Sequence, residues 1–453
     1  MKNRLLSIPS QSIFVLLLIP ALFWPTSLLA QETDAADSVV STPETVREKA
    51  PPEVMGYGYD QDPGSAGDRW LFFGHINGYY TRSDQKGDNT VSGGGFNGML
   101  APAYRINNRL MVSLLYDGEY YKKRDYYSDK VGPRLRTEHQ RHTGTAMLRY
   151  RFGPENRLSL RPSIFHTRTY NKDVTGDGWS DGLYNYRDKG GGLDFDYRRR
   201  PLGIAGGVYQ CGIQYYRREY PNFTSLLDLA TGLGIEKDER DYRGILFRGG
   251  YISSHEKTLR WAADYYVLHN RLDDKKVVRS DGVLSSKEQR DYLHSLSLRF
   301  SFFPAANDIL RLGLDLNTSF NRSNQNYYDG MGTINPADDV FLDNYYDYNS
   351  YRIRPNLTYT LSRLPLEANL AYSLQKVDYR GRKAQNTDGS YKNSKQYETQ
   401  QGVTVRLSWF FLKQLTAYLQ WDYLDVNSNN DDERIYHYDH TVQNWQAGLS
   451  YTF

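Results

Sequence analysis

Residues 445–453 constrain this chain most: Trp445, Ala447, Leu449, Tyr451 and Phe453 alternate one for one with Gln446, Gly448, Ser450 and Thr452. A period of two describes a β-strand whose successive side chains leave on opposite faces, here one apolar and one polar. The pattern recurs. Leu310, Leu312, Leu314 and Leu316 alternate with Arg311, Gly313, Asp315 and Asn317, and Leu366, Ala368, Leu370, Tyr372 and Leu374 with Glu367, Asn369, Ala371, Ser373 and Gln375. Val403, Val405, Leu407 and Trp409 repeat it, as do Leu415, Ala417, Leu419 and Trp421, and Leu357, Tyr359 and Leu361. A one-residue slip would exchange the two faces completely, so the register of such strands is strongly specified.

Composition excludes a bundle of membrane helices, since mean hydropathy is −0.70. Yet aromatics reach 14%, with 40 tyrosines against 18 phenylalanines. Tyrosine joins an apolar ring to a polar tip, which suits a boundary between hydrocarbon and water or the wall of a wet cavity. At the N-terminus, Lys2 and Arg4 precede an apolar run from Ile13 to Leu22, and small residues end at Ala30. Residues 1–30 therefore read as a secretory signal peptide cleaved near Ala30. Residues 31–69, rich in Pro, Glu, Asp and Ala, read as a flexible segment, and 70–453 as one β-domain. The single cysteine, Cys211, falls within an expected strand around Gly203 to Tyr216 as a small packing residue.

Short polar connections recur about every 50 residues: at Asn107-Asn108, 153–156, 199–201, 254–257, 304–308, 362–365 and 410–414. Between them the chain crosses longer polar segments near 82–92, 123–137, 171–188, 218–240, 273–288, 327–344, 382–394 and 427–437. Seven short and eight long connections join sixteen strands. The glycine runs at 93–95 and 190–192 read as joins between loop and strand. The expected fold is all-β, a transmembrane antiparallel up-and-down barrel of about 16 strands, with short periplasmic turns and long extracellular loops.

The ending Leu449, Tyr451 and Phe453 resembles the C-terminal signature by which bacterial outer-membrane β-barrel proteins are recognised for assembly. That resemblance implies placement in the outer membrane, with its lipid and lipopolysaccharide as surroundings and the barrel-assembly machinery as a partner. It implies no cofactor and no nucleic acid. At the level of architecture the chain also resembles porin-like channels and, more weakly, barrels of exopolysaccharide export systems, which work with periplasmic partners.

Taking the polar member of each alternating pair as inward, Arg149, Arg151, Arg157, Arg161, Arg260, Arg299, Arg311, Arg352, Arg354 and Arg406 line the lumen, with Arg248 as a further member. The inward acids of the same strands are Asp264, Asp315, Glu367 and Asp422, so the interior is basic although the whole chain carries only +3. Most of these arginines lie within about five residues of a short turn, toward the periplasmic mouth. Rings of arginine in a narrow pore concentrate anions. Tyr266 and Tyr418 also face inward, where rings beside charged groups suit saccharides. The competing reading has inward arginines pairing with carboxylates to brace the wall, acidic loops at 327–347 and 425–439 binding divalent cations, and loop-flanking tyrosines forming a rim girdle.

Three functions follow: passage of polar, anionic or saccharide solutes; a conduit for exopolysaccharide export; or a plugged barrel with a surface or adhesion role. An enzyme is not expected. His437, Asp439 and His440 stand together near the last long loop, but nothing in the sequence converges on them as a catalytic set would require. Asp173, Asp177 and Asp181 do not follow a calcium-loop spacing, and no metal is expected.

Overall fold

The computed structural model describes residues 69–85, 89–126, 136–152, 158–172, 178–180, 182–199, 207–223, 239–253, 258–304, 309–329, 339–361, 364–432 and 438–453. The leader, most of the N-terminal segment, Arg157, residues 203–206, Asp173, Asp177, Asp181 and His437 lie outside them. The strands are β1 (Trp70–Gln85), β2 (Asn89–Arg105), β3 (Leu110–Tyr126), β4 (Arg136–Phe152), β5 (Leu158–Lys172), β6 (Tyr186–Arg199), β7 (Gly207–Glu219), β8 (Tyr242–Ser253), β9 (Leu259–Val278), β10 (Leu284–Phe302), β11 (Leu310–Ser323), β12 (Tyr327–Asp329), β13 (Val340–Leu342), β14 (Tyr348–Leu361), β15 (Leu366–Gln385), β16 (Tyr391–Phe410), β17 (Leu415–Ser428) and β18 (His440–Thr452).

Sixteen of them close into an antiparallel barrel, as the alternation predicts. Each pairs with its neighbour in the chain, except that β12 and β13 leave the wall as a separate two-stranded sheet and β11 pairs directly with β14. β18 returns to β1, with Ile76 opposite Tyr451 and Gly78 opposite Leu449. Phe453 completes the seam, exchanging two backbone hydrogen bonds with Gly74 at 2.9 and 3.0 Å. The ring itself therefore has no edge strand.

Burial is inverted relative to a water-soluble globule. Ile164, Leu370, Leu419 and Leu449 are exposed on the outside, while Ser113, Ser159, Thr167, Ser295, Ser319 and Thr358 are buried on the inner face. A wall with hydrocarbon outside and water inside requires this distribution, and a soluble sandwich would bury the leucines instead.

Several expected loops are strand. β9, β15 and β16 run 20 residues each and β10 runs 19, about twice the 9–11 that cross a bilayer. The excess projects at the end bearing the long connections. What was expected as loop at 273–288 and 382–394 is therefore ribbon, reversed by tight turns at Asp281-Gly282 and Asp388-Gly389. Both glycines have positive φ, 75° and 86°, and each turn closes with two backbone hydrogen bonds, from the Arg279 amide to Val283 and from Gly282 to the Arg279 carbonyl in one, and from the Asn386 amide to Ser390 and from Gly389 to the Asn386 carbonyl in the other. An Asp-Gly pair at such a position is a hairpin signal that polarity alone obscures. The expected loop at 82–92 is likewise strand up to Gln85 and from Asn89 onward.

The glycine runs also lie within strands, inside β2 and β6, rather than at joins. A β-carbon at Gly93 or Gly190 would meet a backbone carbonyl of the adjoining strand at 2.1 or 2.4 Å, so these positions serve close strand approach. Cys211 is exposed on β7 and not packed within the wall.

Candidate functional site

Alternation in the closed sheet settles which side chains share the interior. Leu296 and Tyr292 are exposed outside β10, so Arg299 faces inward; Leu357 and Tyr359 are exposed outside β14, so Arg352 and Arg354 face inward. By the same parity the inner face receives Arg149 and Arg151 from β4, Arg161 from β5, Arg260, Asp264 and Tyr266 from β9, Arg311 and Asp315 from β11, Glu367 from β15, Arg406 from β16, and Tyr418 and Asp422 from β17. Arg157 alone of this set is outside the described residues.

Some of these arginines are ion-paired across strands. Arg161 meets Asp196 at 2.8 Å and Arg299 meets Asp264 at 2.8 Å, while Asp315 stands in register between Arg299 and Arg354. Others meet neutral partners. Arg311 donates to the Thr358 hydroxyl at 3.1 Å, Arg406 donates to Ser408 at 3.4 Å and covers the Tyr418 ring at 4.1 Å, and the Arg260 guanidinium lies 4.4 Å from the Phe303 ring centre. Tyr418 accepts from Gln446 at 3.1 Å. Asp422 is occupied by Thr404 and Gln420, at 2.8 and 2.9 Å, and Glu367 stands opposite Thr360 and Ser408. Among the described residues no ion pair is seen for Arg311 or Arg406, so their positive field reaches the lumen.

Several inward charges escaped the sequence pattern, Arg141, Asp117, Glu119, Asp194, Asp188 and Arg218 among them, whereas Arg248 was expected. Arg141 joins Asp117 at 3.2 Å and Glu119 at 2.7 Å, and Arg248 reaches Asp194 at 2.5 Å across Gly212, whose missing side chain leaves the path clear. Arg218 is buried at 4% exposure and grips Asp188 with two hydrogen bonds of 2.7 and 2.9 Å. Its guanidinium lies 3.9 Å from the Tyr186 ring centre and 5.4 Å from that of Tyr242. Asp188 and Arg218 lie at the boundaries of segments expected as loops, and the alternation of β6 to β8 is diluted by glycine. Length of strand, not composition, was the missing signal.

Around this pair the inner face is apolar. Tyr186, Tyr216, Tyr220, Tyr242, Leu268 and Leu293 form a buried cluster, with Phe165, Leu246, Tyr266 and Leu272 against it. The interior is thus asymmetric, with a packed aromatic sector on β5–β10 and a polar sector elsewhere. The tyrosines at 215–220 divide accordingly: Tyr215 is exposed outside, where a girdle residue belongs, while Tyr216 is buried inside.

At the long-connection end the described parts of the acidic segment, 327–329 and 339–347, pack between the two ribbons. Gln325 donates to the Lys276 carbonyl at 3.0 Å and Asn326 to that of Val278 at 2.9 Å, on the β9 side. Tyr391 donates to Asp329 at 2.7 Å on the β15–β16 side. Tyr328 donates to Asp339 at 2.5 Å, and Asp347 accepts from the Ser323 amide at 2.7 Å, so these aspartates hold structure. Arg382 is buried beneath the rings of Tyr345 and Tyr379, at 4.2 and 4.5 Å, and burial brings its guanidinium down to about 10. Asp439, near the histidines weighed for catalysis, accepts from the Ser428 amide at 2.6 Å. Among the described residues no group of three or more His, Cys, Asp or Glu is placed to hold a metal ion.

No protein-family model and no curated protein matches the chain. Among solved structures, a loop-deletion mutant of OmpT, an outer membrane protein of Vibrio cholerae, is similar at 11% identity and TM-score 0.44, over 85% of this chain and 100% of that one. Pseudomonas aeruginosa OccK7 is similar at 8% identity and TM-score 0.42, over 85% and 98% of the two chains. For OccD3 of the same organism the values are 10%, 0.41, 84% and 91%. Such likenesses, weak in overlap and weaker in identity, say nothing of what this barrel carries. By its closed ring, apolar outer belt and polar interior, the chain is a sixteen-stranded antiparallel β-barrel.

Proposed function

We propose that this protein is an outer-membrane channel that passes polar solutes, anionic or saccharide, through a basic, tyrosine-bearing lumen. The observation that carries the reading is the set of inward arginines toward the short-turn end, some of which, Arg311 and Arg406 among them, meet hydroxyls and a ring where others meet carboxylates. A guanidinium held in a partly low-dielectric passage raises the local concentration of anions and lowers that of cations. Tyr418 is buried with its ring under Arg406 and so holds that guanidinium in place, and the saccharide part of the reading rests on the charged and hydroxyl groups that face the lumen.

Recording in planar bilayers under a salt gradient tests it. The wild-type channel is expected to favour anions, and combined replacement of Arg149, Arg151, Arg311 and Arg406 by Gln is expected to shift the permeability ratio several-fold toward cations. Unchanged selectivity would remove the lumen assignment. The plugged-barrel alternative draws on the aromatic sector of β5–β10, which narrows one side of the interior. It predicts no conductance at all, so the same recording separates the two.

A further inference from the structure

The short-turn end of the wall carries a sector that has cations and no acids. Residues 69–83, 93–116 and 139–152, which supply that end of β1 to β4, contain no Asp or Glu. At the strand ends they contain Arg69, Arg105, Arg109, Arg149 and Arg151. Register brings these together. The pairing of Trp70 with Tyr104 continues into a hydrogen bond from the Arg105 amide to the Arg69 carbonyl at 2.7 Å, and the Arg151 amide donates to the Arg109 carbonyl at 2.7 Å. Arg105 and Arg149 stand on either side of Met111, so Arg69, Arg105, Met111 and Arg149 follow one another around the ring, strand by strand, at about 4.8 Å a step.

Phe72, Leu100, Leu114 and Leu148 are exposed outside, and parity with them turns Arg69, Arg105, Arg149 and Arg151 inward. Among the described residues no ion pair is seen for Arg69, Arg105 or Arg109, and Arg69 and Arg109 are exposed. Like charges on adjacent strands repel, so such a sector calls for negative charge from elsewhere.

The chain carries a complement at the same place. Residues 31–68 join β1 at Arg69, within the sector, and hold nine acidic residues against two basic ones, Arg47 and Lys49. At up to about 3.6 Å per residue, a segment of 38 residues outreaches every arginine named. Tethering gives it an effective concentration in the millimolar range, so contacts too weak to hold a separate peptide suffice.

We propose that the acidic segment 31–68 binds Arg69, Arg105, Arg109, Arg149 and Arg151 and stands in the mouth as a tethered competitor of anionic solutes. The competition rests on the channel reading; the contact does not. Carboxylates along the segment offer the guanidinium forks charge-assisted, bidentate partners. Because the arginines lie at a water-filled mouth, the attraction is screened by salt. An anion has to displace the segment before it enters, so its passage depends on its own affinity for the same arginines.

Trypsin digestion of the whole protein in detergent, read by mass spectrometry at the bond after Lys49, tests the contact independently of conductance. At low salt the cut is expected to run at least roughly tenfold slower than in a separate peptide of residues 31–68, several exposed ion pairs together being worth that factor. In 1 M NaCl, where the Debye length falls to about 3 Å, the two rates are expected to converge. Replacing the nine acids by their amides leaves the barrel untouched and is expected to abolish protection, each protein being compared with the peptide of its own sequence. Replacing Arg105, Arg109 and Arg149 by Gln is expected to do the same, and Lys376→Gln, an outward cation on the distant β15, to change nothing. Protection that survives 1 M salt or the amide variant overturns the proposal, as does wild-type cleavage at the peptide's rate. Protection lost in the amide variant but kept in the arginine variant would assign the segment to another surface and also overturn it. In planar bilayers the amide variant is expected to pass several-fold more anion current at low salt. A barrel that conducts anions while its segment is cut at the peptide's rate defeats this inference alone, and a protected segment on a barrel that does not conduct defeats the channel alone.

Discussion

Arg218→Ala is expected to destabilise the barrel by about 3–5 kcal/mol, because it strands the Asp188 carboxylate in a buried site with its charge unpaired. The Asp188 side chain is 11% exposed and that of Arg218 4%, so water cannot take over the lost contacts. Tyr186 and Tyr242 would lose the guanidinium packed against their rings as well. Arg218→Lys should recover a minority of the loss, since a single ammonium cannot reproduce two parallel hydrogen bonds. The double variant Arg218→Met with Asp188→Leu should recover most of it, because removing both charges also removes the cost of burying them. Urea unfolding in lipid vesicles measures all three. A single Arg218→Ala variant as stable as wild type would mean that Asp188 is solvated and that the aromatic sector is not a packed core.

Leu370→Arg is expected to cost about 2–4 kcal/mol and to lower the yield of inserted protein, whereas Asn369→Arg one residue earlier, which sets a like charge opposite Arg406, should cost less than about 1 kcal/mol. Leu370 is exposed on the outer face of β15, flanked in register by Leu357 and Val405, so an arginine there is forced into hydrocarbon. Asn369 faces the lumen opposite Arg406 and donates to Thr358 at 2.9 Å, where a further cation is repelled by Arg406 but keeps access to water. The contrast between neighbours isolates the face from the strand. Equal tolerance of the two substitutions would show that the outer belt does not contact lipid.

Much of this architecture was legible because a β-barrel in a membrane writes its two solvents into every second residue. Leu310 to Asn317 and Leu366 to Gln375 named their own faces, and counting connections produced the sixteen strands that the closed sheet contains. The inner placement of Arg299, Arg311 and Arg406 follows from the same parity. Legibility failed where polarity had two causes. The ribbons at 273–278 and 382–385 are polar because they stand in water above the membrane, and a polar strand reads as a loop unless its Asp-Gly turn is weighed. The inward cluster of Tyr216, Leu268 and Leu293 failed for the opposite reason, since apolar residues on the inner face contradict the rule that identifies the outer one.

Alternation by itself determined the class of fold and the side of the wall to which most residues belong, because those depend only on a residue's neighbours one and two places along the chain, and the recurrence of polar connections determined the number of crossings. Tertiary structure alone decided which charges meet: Arg218 with Asp188, Arg248 with Asp194 over Gly212, and the cations set opposite one another from Lys189 on β6 to Arg290 on β10. Partners in these pairs are 19 to 54 positions apart, on adjacent strands or, for Arg248 and Asp194, on strands either side of β7, and their juxtaposition is set by cross-strand register, which depends on connection lengths and bulges that no local period encodes.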